Sequence, residues 1–426
     1  MSPPDTSGSE GFFENLLGDL MKLLQTKGPV HWELAHQLAT GVASGGKDEP
    51  NVDPLVRMRL EELIRVADLH VTEVTGLSTS ATGKAIEAQP VSRSTWAWHT
   101  LEAWRPLLEA LATSLMRQSP GNIDTPGKKG PAWGPPEGEI DSDPWQGLIS
   151  GHGESQDSDE EGFGEPDLLG GWVAAVGPVL VSVQCGATIG HLAQRALGQY
   201  DLPVPRPLSD RILLVPANIS SFADDWSLRL EDVELWVCLR EVSHHAVLGL
   251  AHVRDRISNL LQSYARGFDP RLADLEGRLS GIDLSDTTSM EKMLGDPAVF
   301  LEEMQTPAQR ATVVQLKTVV AVLEGYIDHV VLQTGQRLIT TTSSLAGAMR
   351  RRRIEGKQGE RLAERLLGIQ LDKQSSERGT TFIQGVLERA GEGGLALLWS
   401  SAANFPTQAE VDAPGLWLER ISLPLD

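Results

Sequence analysis

The 426-residue chain is poor in cysteine, in aromatic residues and in positive charge. Cys185 and Cys238 are its only cysteines, and both lie in apolar helical patterns, which excludes a disulfide framework and favours a reducing cytoplasm. Lys and Arg number 37 against 58 Asp and Glu, so the formal net charge is −21 and the molecule repels phosphate backbones and anionic membranes. We therefore expect a cytoplasmic protein with no nucleic-acid partner.

Long apolar segments are also missing. The N-terminus has no basic stretch followed by an uninterrupted apolar core, so no signal peptide is predicted. The longest apolar run, "WVAAVGPVLVSVQC" at residues 172–185, is too short to span a bilayer and is interrupted by Gly177 and Pro178. We expect no membrane span and interpret this run as a buried helix.

Helical periodicity dominates the first part of the chain. Apolar residues recur every three to four positions at residues 12–24 and in the segments "HWELAHQLATGVAS", "DPLVRMRLEELIRVADLHVTEVTG" and "TWAWHTLEAWRPLLEALATSLMRQ". Asp53 followed by Pro54 is a start signal for the helix in the segment that begins "DPLVRM". Residues 1–118 are therefore predicted to form an N-terminal helical region.

The composition then changes twice. Residues 119–171 are rich in Pro, Gly, Asp and Glu, which predicts a flexible acidic insertion because too little apolar surface is available to offset the ordering entropy. Residues 172–426 form a third, helical region with one strand at residues 211–215 and a long buried helix at residues 230–265. Further helices are predicted at residues 290–303, 307–333, 357–368 and 375–390. The predicted fold class is mainly α, with few short strands.

The segment "REVSHH" at residues 240–245 resembles the H-E-x-x-H helix of zinc proteases, in which two histidines hold the metal and the glutamate accepts a proton from metal-bound water. Glu241 and His244 occupy the last two functional positions, but Arg240 replaces the first histidine. A guanidinium stays protonated and has no lone pair to offer a cation. The pattern E-x-x-H also occurs by chance in many helices, and His244 and His245 can be ordinary hydrogen-bonded core histidines.

A candidate third ligand is Glu324, which interrupts the apolar run "VVAVLEGYIDHVV". Asp328 follows one turn later on the same helix face, where it could orient a histidine ligand. The surrounding valines favour burial over a solvent-exposed acidic stripe. A rearranged site made of Glu241, His245 and Glu324 is an alternative, since His245 lies four residues after Glu241.

Four consecutive arginines, Arg350 to Arg353, are the main basic stretch. They could dock an anionic partner, but a solvated helix face or loop is the favoured interpretation.

Several segments together resemble one family: "GPVHWELAHQLA", "HLAQRALGQYDLP", "LWVCLREVSHHA", "LEGYIDHV" and "LLGIQLDKQSSERGTTFI". They are similar to bacterial, mainly actinobacterial, zincin-like proteins labelled as zinc-dependent metallopeptidases or hydrolases, some associated with deazaflavin coenzyme biosynthesis. The resemblance spans nearly the whole chain outside the acidic insertion and implies a zincin-like helical metallopeptidase fold, with residues 172–426 as the domain that carries the degenerate H-E-x-x-H helix. It also implies Glu241 as general base, His244 and Glu324 as metal ligands, and Asp328 as the partner of a ligand.

The arginine at position 240 departs from the family pattern. Losing a ligand should weaken a zinc site by more than the 10 to 100-fold typical of outer-shell changes, so bound zinc is expected to be weak or absent. We expect Arg240 to pair with Glu324, Glu241 or both, because an uncompensated buried carboxylate would cost several kcal/mol.

Three functional hypotheses follow. The favoured one is a catalytically impaired homologue that acts in regulation or binds a peptide or protein segment. The second is an active zinc-dependent hydrolase with a rearranged site. The third is a helical interaction protein whose acidic residues 137–167 capture basic partners.

Overall fold

A computed structural model describes residues 28–115, 168–268, 305–354, 358–370 and 372–422. The predicted helices at residues 12–24 and 290–303, and residues 119–167 of the acidic insertion, lie outside them. The described residues are mainly α-helical, as predicted. Their elements are α1 (Trp32–Ser44), α2 (Pro54–Thr75), β1 (Glu87–Pro90), α3 (Arg93–Leu115), α4 (Leu168–Ala193), β2 (Arg211–Leu214), α5 (Pro216–Asp225), α6 (Leu230–Gly249), α7 (Ala251–Arg266), α8 (Pro307–Leu338), α9 (Thr342–Ile354), α10 (Gln358–Leu367), α11 (Lys373–Ala396), α12 (Gln408–Asp412) and α13 (Pro414–Ser422).

Helix α2 begins at the signal read from the sequence. The Asp53 carboxylate accepts a hydrogen bond from the backbone N–H of Leu55, and Pro54 fills the first helical position, where its missing N–H costs nothing. Gly76 ends the helix in the left-handed conformation, with φ 65°, and its N–H donates to the carbonyl of Thr72. The predicted bounds of α2 are therefore confirmed by the capping groups.

The two strands form a parallel pair. Strand β2 lies within the strand predicted at residues 211–215, and its Ile212 and Leu214 are fully buried. Its partner β1 was not predicted, because "EAQP" has no β-branched or aromatic residue and ends in a proline. The extended conformation of β1 is therefore set by pairing with β2 and not by the local propensity of its residues.

The long helix predicted at residues 230–265 is two helices. The chain leaves the α conformation at Leu250, with φ −66° and ψ 123°, so α6 ends at Gly249 and α7 starts at Ala251. Glycine is a weak helix former, which makes this position a favourable one for a break. The prediction of one continuous helix is wrong, whereas the predicted burial of the first part is confirmed, since most of α6 is buried.

Helix α4 is only partly buried, contrary to the prediction. Cys185 and Ile189 are covered, but Leu180 and Val183 are exposed. In residues 178–193 of the helix, the buried side chains face the core, and a Cβ atom built on Gly186 would lie 2.6 Å from the carbonyl oxygen of Ala35 in α1. Within the described ranges, no helix combines the length and the apolar character needed to cross a membrane.

Helix α8 lies between α6 on one side and α11 on another. Gly325 of α8 and Gly379 of α11 bring the two backbones into contact. A Cβ atom built on Gly325 would lie 2.6 Å from the carbonyl carbon of Gly379. Only glycine permits this approach. Since Gly325 follows Glu324 directly, this contact positions the backbone that carries Glu324.

Candidate functional site

Helix α6 carries the residues singled out from the "REVSHH" segment, and α8 carries the two acidic residues opposite them. Glu241 and His244 of α6 and Glu324 of α8 are buried, with at most 2% of their surface exposed. Burial of ionisable groups at this level requires compensating charges or hydrogen bonds. The predicted burial of Glu324 is therefore confirmed, and the exposed acidic stripe is wrong for that residue.

Arg240 binds both acidic side chains of α8. Its Nη1 donates to Oδ1 of Asp328 at 2.9 Å, and its Nη2 donates to Oε2 of Glu324. The Arg240 side chain is only 15% exposed, so the pair lies in a poorly solvated environment. Of the pairings considered from the sequence, the structure has Arg240 with Glu324 and not with Glu241. Asp328, expected to orient a histidine, accepts from arginine instead.

His244 contacts the other oxygen of the same carboxylate. Its Nε2 lies 2.9 Å from Oε1 of Glu324, and its Nδ1 lies 2.9 Å from the backbone carbonyl of Arg240. Each ring nitrogen is therefore directed at an oxygen atom of the protein. In this arrangement the imidazole has no lone pair directed toward a metal ion.

Glu324 is held in its ionised form by this environment. Burial alone would raise the pKa of the Glu324 carboxyl, but Arg240, Arg353 and His244 together hold that pKa well below its usual range. These three partners together outweigh the desolvation of a fully buried acid.

Arg353 was not identified as a site residue from the sequence. It lies in the last turn of α9, where its Nη2 donates to Oδ1 of Asp328 at 3.1 Å and its Nη1 lies 3.4 Å from Oε2 of Glu324. The prediction of a solvated arginine face holds for the exposed Arg350 and is wrong for Arg352 and Arg353, whose side chains are 14% and 19% exposed. Which arginines of this basic run are covered cannot be inferred from the run itself, since their acidic partners lie in other parts of the chain.

Glu241 faces a different segment, the loop that follows α4. Its Oε2 accepts a hydrogen bond from the backbone N–H of Tyr200 at 2.9 Å. Gly198 packs directly on the carboxyl, because a Cβ atom there would lie 2.5 Å from Oε1 of Glu241. Burial raises the pKa of Glu241 to about 8, although the Tyr200 N–H opposes the shift. Glu241 therefore carries a proton at neutral pH.

Tyr200 also organises the two histidines. Its hydroxyl lies 3.0 Å from Nδ1 of His245, and its ring stacks on His244 with centroids 5.9 Å apart. His245 is buried, and that desolvation lowers its pKa. These contacts fit the interpretation of His244 and His245 as hydrogen-bonded core histidines. Tyr200 was overlooked because a lone tyrosine in a proline-rich segment carries no pattern of its own.

The side chains present do not fit a catalytic zinc ion. Such an ion takes three lone-pair donors from the protein and keeps an open position for water. Arg240 has no lone pair, and the hydrogen bonds of His244 use both of its nitrogens. Glu241 and His245 contact Tyr200, whereas Glu324 contacts Arg240 and His244. In the part of the chain that the structure describes, no three histidine, cysteine or acidic side chains are placed to hold a metal ion.

The comparisons with known proteins concern the family and the fold. A family model described as "Zincin-like metallopeptidase" matches residues 30–418. Among solved structures, the chain is similar to a protein from Chloroflexus aurantiacus described as a "putative hydrolase with a novel fold". The TM-score is 0.58 at 18% sequence identity, over 93% of this chain and 100% of the other. No curated protein matches the chain.

Proposed function

The chain belongs to the zincin-like metallopeptidase family, and we propose that it is a member in which an arginine-centred ion-pair cluster has replaced the metal site. In this proposal the protein binds a peptide or protein segment instead of hydrolysing it. The observation that carries the proposal is the position of Arg240, which donates to both Glu324 and Asp328. These are the acidic groups that a metal site on these helices would need.

The physical reason is charge compensation. A buried carboxylate at the Glu324 position costs several kcal/mol unless an opposite charge faces it. In a metal-dependent member a cation would meet that need, and here a guanidinium does. The cluster therefore keeps α6 and α8 in register, while the ligand set that would activate water is incomplete.

The partner class follows from the family. A fold built for peptide hydrolysis offers a surface suited to peptide segments, and loss of the ligand set removes cleavage without removing that surface. The match to a zincin-like metallopeptidase family supports this partner class. Two free, buried thiols support a location in the reducing cytoplasm.

Zinc content tests the proposal directly. Wild-type protein purified without chelators should contain no stoichiometric zinc by plasma mass spectrometry. Arg240→His should acquire measurable zinc binding, because it supplies an imidazole four residues before His244. The matched control Arg240→Gln removes the same charge but supplies no imidazole. Arg240→His combined with Glu324→Gln should lose the gain.

One equivalent of firmly held zinc in the wild-type chain would overturn the proposal. It would favour the alternative, an active metallohydrolase in which Glu241 serves as the base. In that case wild-type protein should also cleave an unfolded protein such as casein, and Glu241→Gln should abolish the cleavage.

A further inference from the structure

We propose that Arg353 is the second cation of this site and that Arg240 and Arg353 together replace the charge of a divalent ion and exclude one. The inference rests on the proposed function and extends it from a single substituted position to a pair of residues on different helices. Its consequence is that restoring a histidine at position 240 gives only a weak zinc site as long as Arg353 is present.

The contacts place the two guanidinium groups on the same acceptors. Arg240 and Arg353 both face Oε2 of Glu324, and both donate to Oδ1 of Asp328, at 2.9 Å and 3.1 Å. The Arg353 side chain is 19% exposed, so solvent only partly screens its charge. A metal ion bound through Glu324 would therefore lie beside a second positive charge even after Arg240 had been removed.

The charges of the four side chains balance without a metal. Glu324 and Asp328 supply two negative charges, and the two arginines supply two positive charges. A divalent ion would add charge to a cluster that is already neutral. Exclusion is thus expected from charge as well as from the missing ligand.

Helix α9 holds Arg353 in place. The neighbouring Arg352 binds Asp201 at 2.8 Å and the carbonyl of Arg195 at 2.7 Å, and Leu345 of the same helix is fully buried. Asp201 follows Tyr200, whose N–H binds Glu241. The last turn of α9 is therefore fastened to both sides of the cluster, and Arg353 cannot move away without breaking these contacts.

Zinc affinity in the Arg240→His background tests the inference. We expect Arg240→His/Arg353→Gln to bind zinc about 10 to 100-fold more tightly than Arg240→His alone, the range typical for groups that act on a metal from outside its ligand set. Arg240→His/Arg350→Gln is the matched control, because it removes the same charge from an exposed position of the same helix. Arg240→His/Arg353→Lys keeps the charge and should stay close to Arg240→His. Dissociation constants come from competition with a chromophoric chelator, and circular dichroism verifies folding.

The outcomes separate the two proposals. Equal zinc affinity of Arg240→His with and without Arg353 would overturn the role of Arg353 and leave the role of Arg240 intact. An equal gain in the Arg350→Gln control would also overturn it, since net charge alone would then explain the effect. Zinc held by the wild-type chain would overturn the proposed function itself. Should the Gln variant unfold, Arg353→Met is a neutral replacement of similar length with the same expected gain.

Discussion

Arg240→Gln should destabilise the protein substantially, even though it replaces one polar helix residue with another. The substitution removes the Arg240 contacts with Glu324 and Asp328 and leaves the fully buried Glu324 with fewer compensating charges. Removing one partner of a buried ion pair typically costs about 3–5 kcal/mol. Two partners remain near the carboxylate, the His244 imidazole at 2.9 Å and the Arg353 guanidinium at 3.4 Å. We therefore expect a loss of about 2–3 kcal/mol in the free energy of unfolding, below the full range.

Urea denaturation followed by circular dichroism measures this loss. Arg337→Gln is the matched control, because Arg337 is 59% exposed and reaches Glu73 only at 4.0 Å. Exposed pairs of this kind contribute about 0–1 kcal/mol. A double-mutant cycle with Glu324→Gln then isolates the pair itself. If Arg240→Gln loses no more than Arg337→Gln does, the ion pair does not stabilise the fold and the reasoning from burial fails.

The same variant has a defined pH dependence. Because the folded pKa of Glu324 is depressed below its ordinary value of 4.5, the stability that this group contributes is present above pH 4.5 and is lost as the pH falls toward the folded pKa. Without Arg240 the folded pKa should move back toward 4.5. The stability difference between wild type and Arg240→Gln should therefore shrink below pH 4.5, and a difference that grows on acidification would contradict this assignment.

Two further predictions concern the neighbourhood of the cluster. Glu241→Gln should stabilise the protein increasingly as the pH rises. The folded pKa of Glu241, about 8, lies above the ordinary 4.5, so the wild-type protein loses stability as the pH rises from 4.5 to 8. In urea titrations the variant should gain roughly 3 kcal/mol in the free energy of unfolding at pH 7 and little at pH 4. Gly325→Ala should lower the free energy of unfolding by about 1–3 kcal/mol, because its Cβ would overlap the backbone of Gly379. The control Gly347→Ala on α9, where a Cβ meets open space, should be neutral or stabilising. Equal melting temperatures of the two variants would refute the close contact.

Membership of the zincin-like family was predictable from the ordered set of short segments, and the family match over residues 30–418 confirms it. The mainly α class and most helix positions were also predictable, since their signals are local. Apolar spacing locates α8 and α11, and Asp53 with Pro54 marks the start of α2. The break at Leu250 and the strand β1 were not predictable, because a glycine near a helix end and the short sequence "EAQP" are compatible with several structures.

The candidate site divides in the same way. From the sequence alone it follows that a guanidinium stands where an imidazole would be, that it cannot bind a metal, and that a buried acid opposite it needs a positive charge. The sequence left open whether Glu324 or Glu241 receives that charge. It also gave no sign that Arg353 belongs to the cluster or that Glu241 binds the Tyr200 N–H instead of joining the ion pairs. Only the tertiary structure decided these points, because they depend on how α6, α8, α9 and the loop after α4 approach one another, and the free energy of a buried charge is set by neighbours that are distant in the chain.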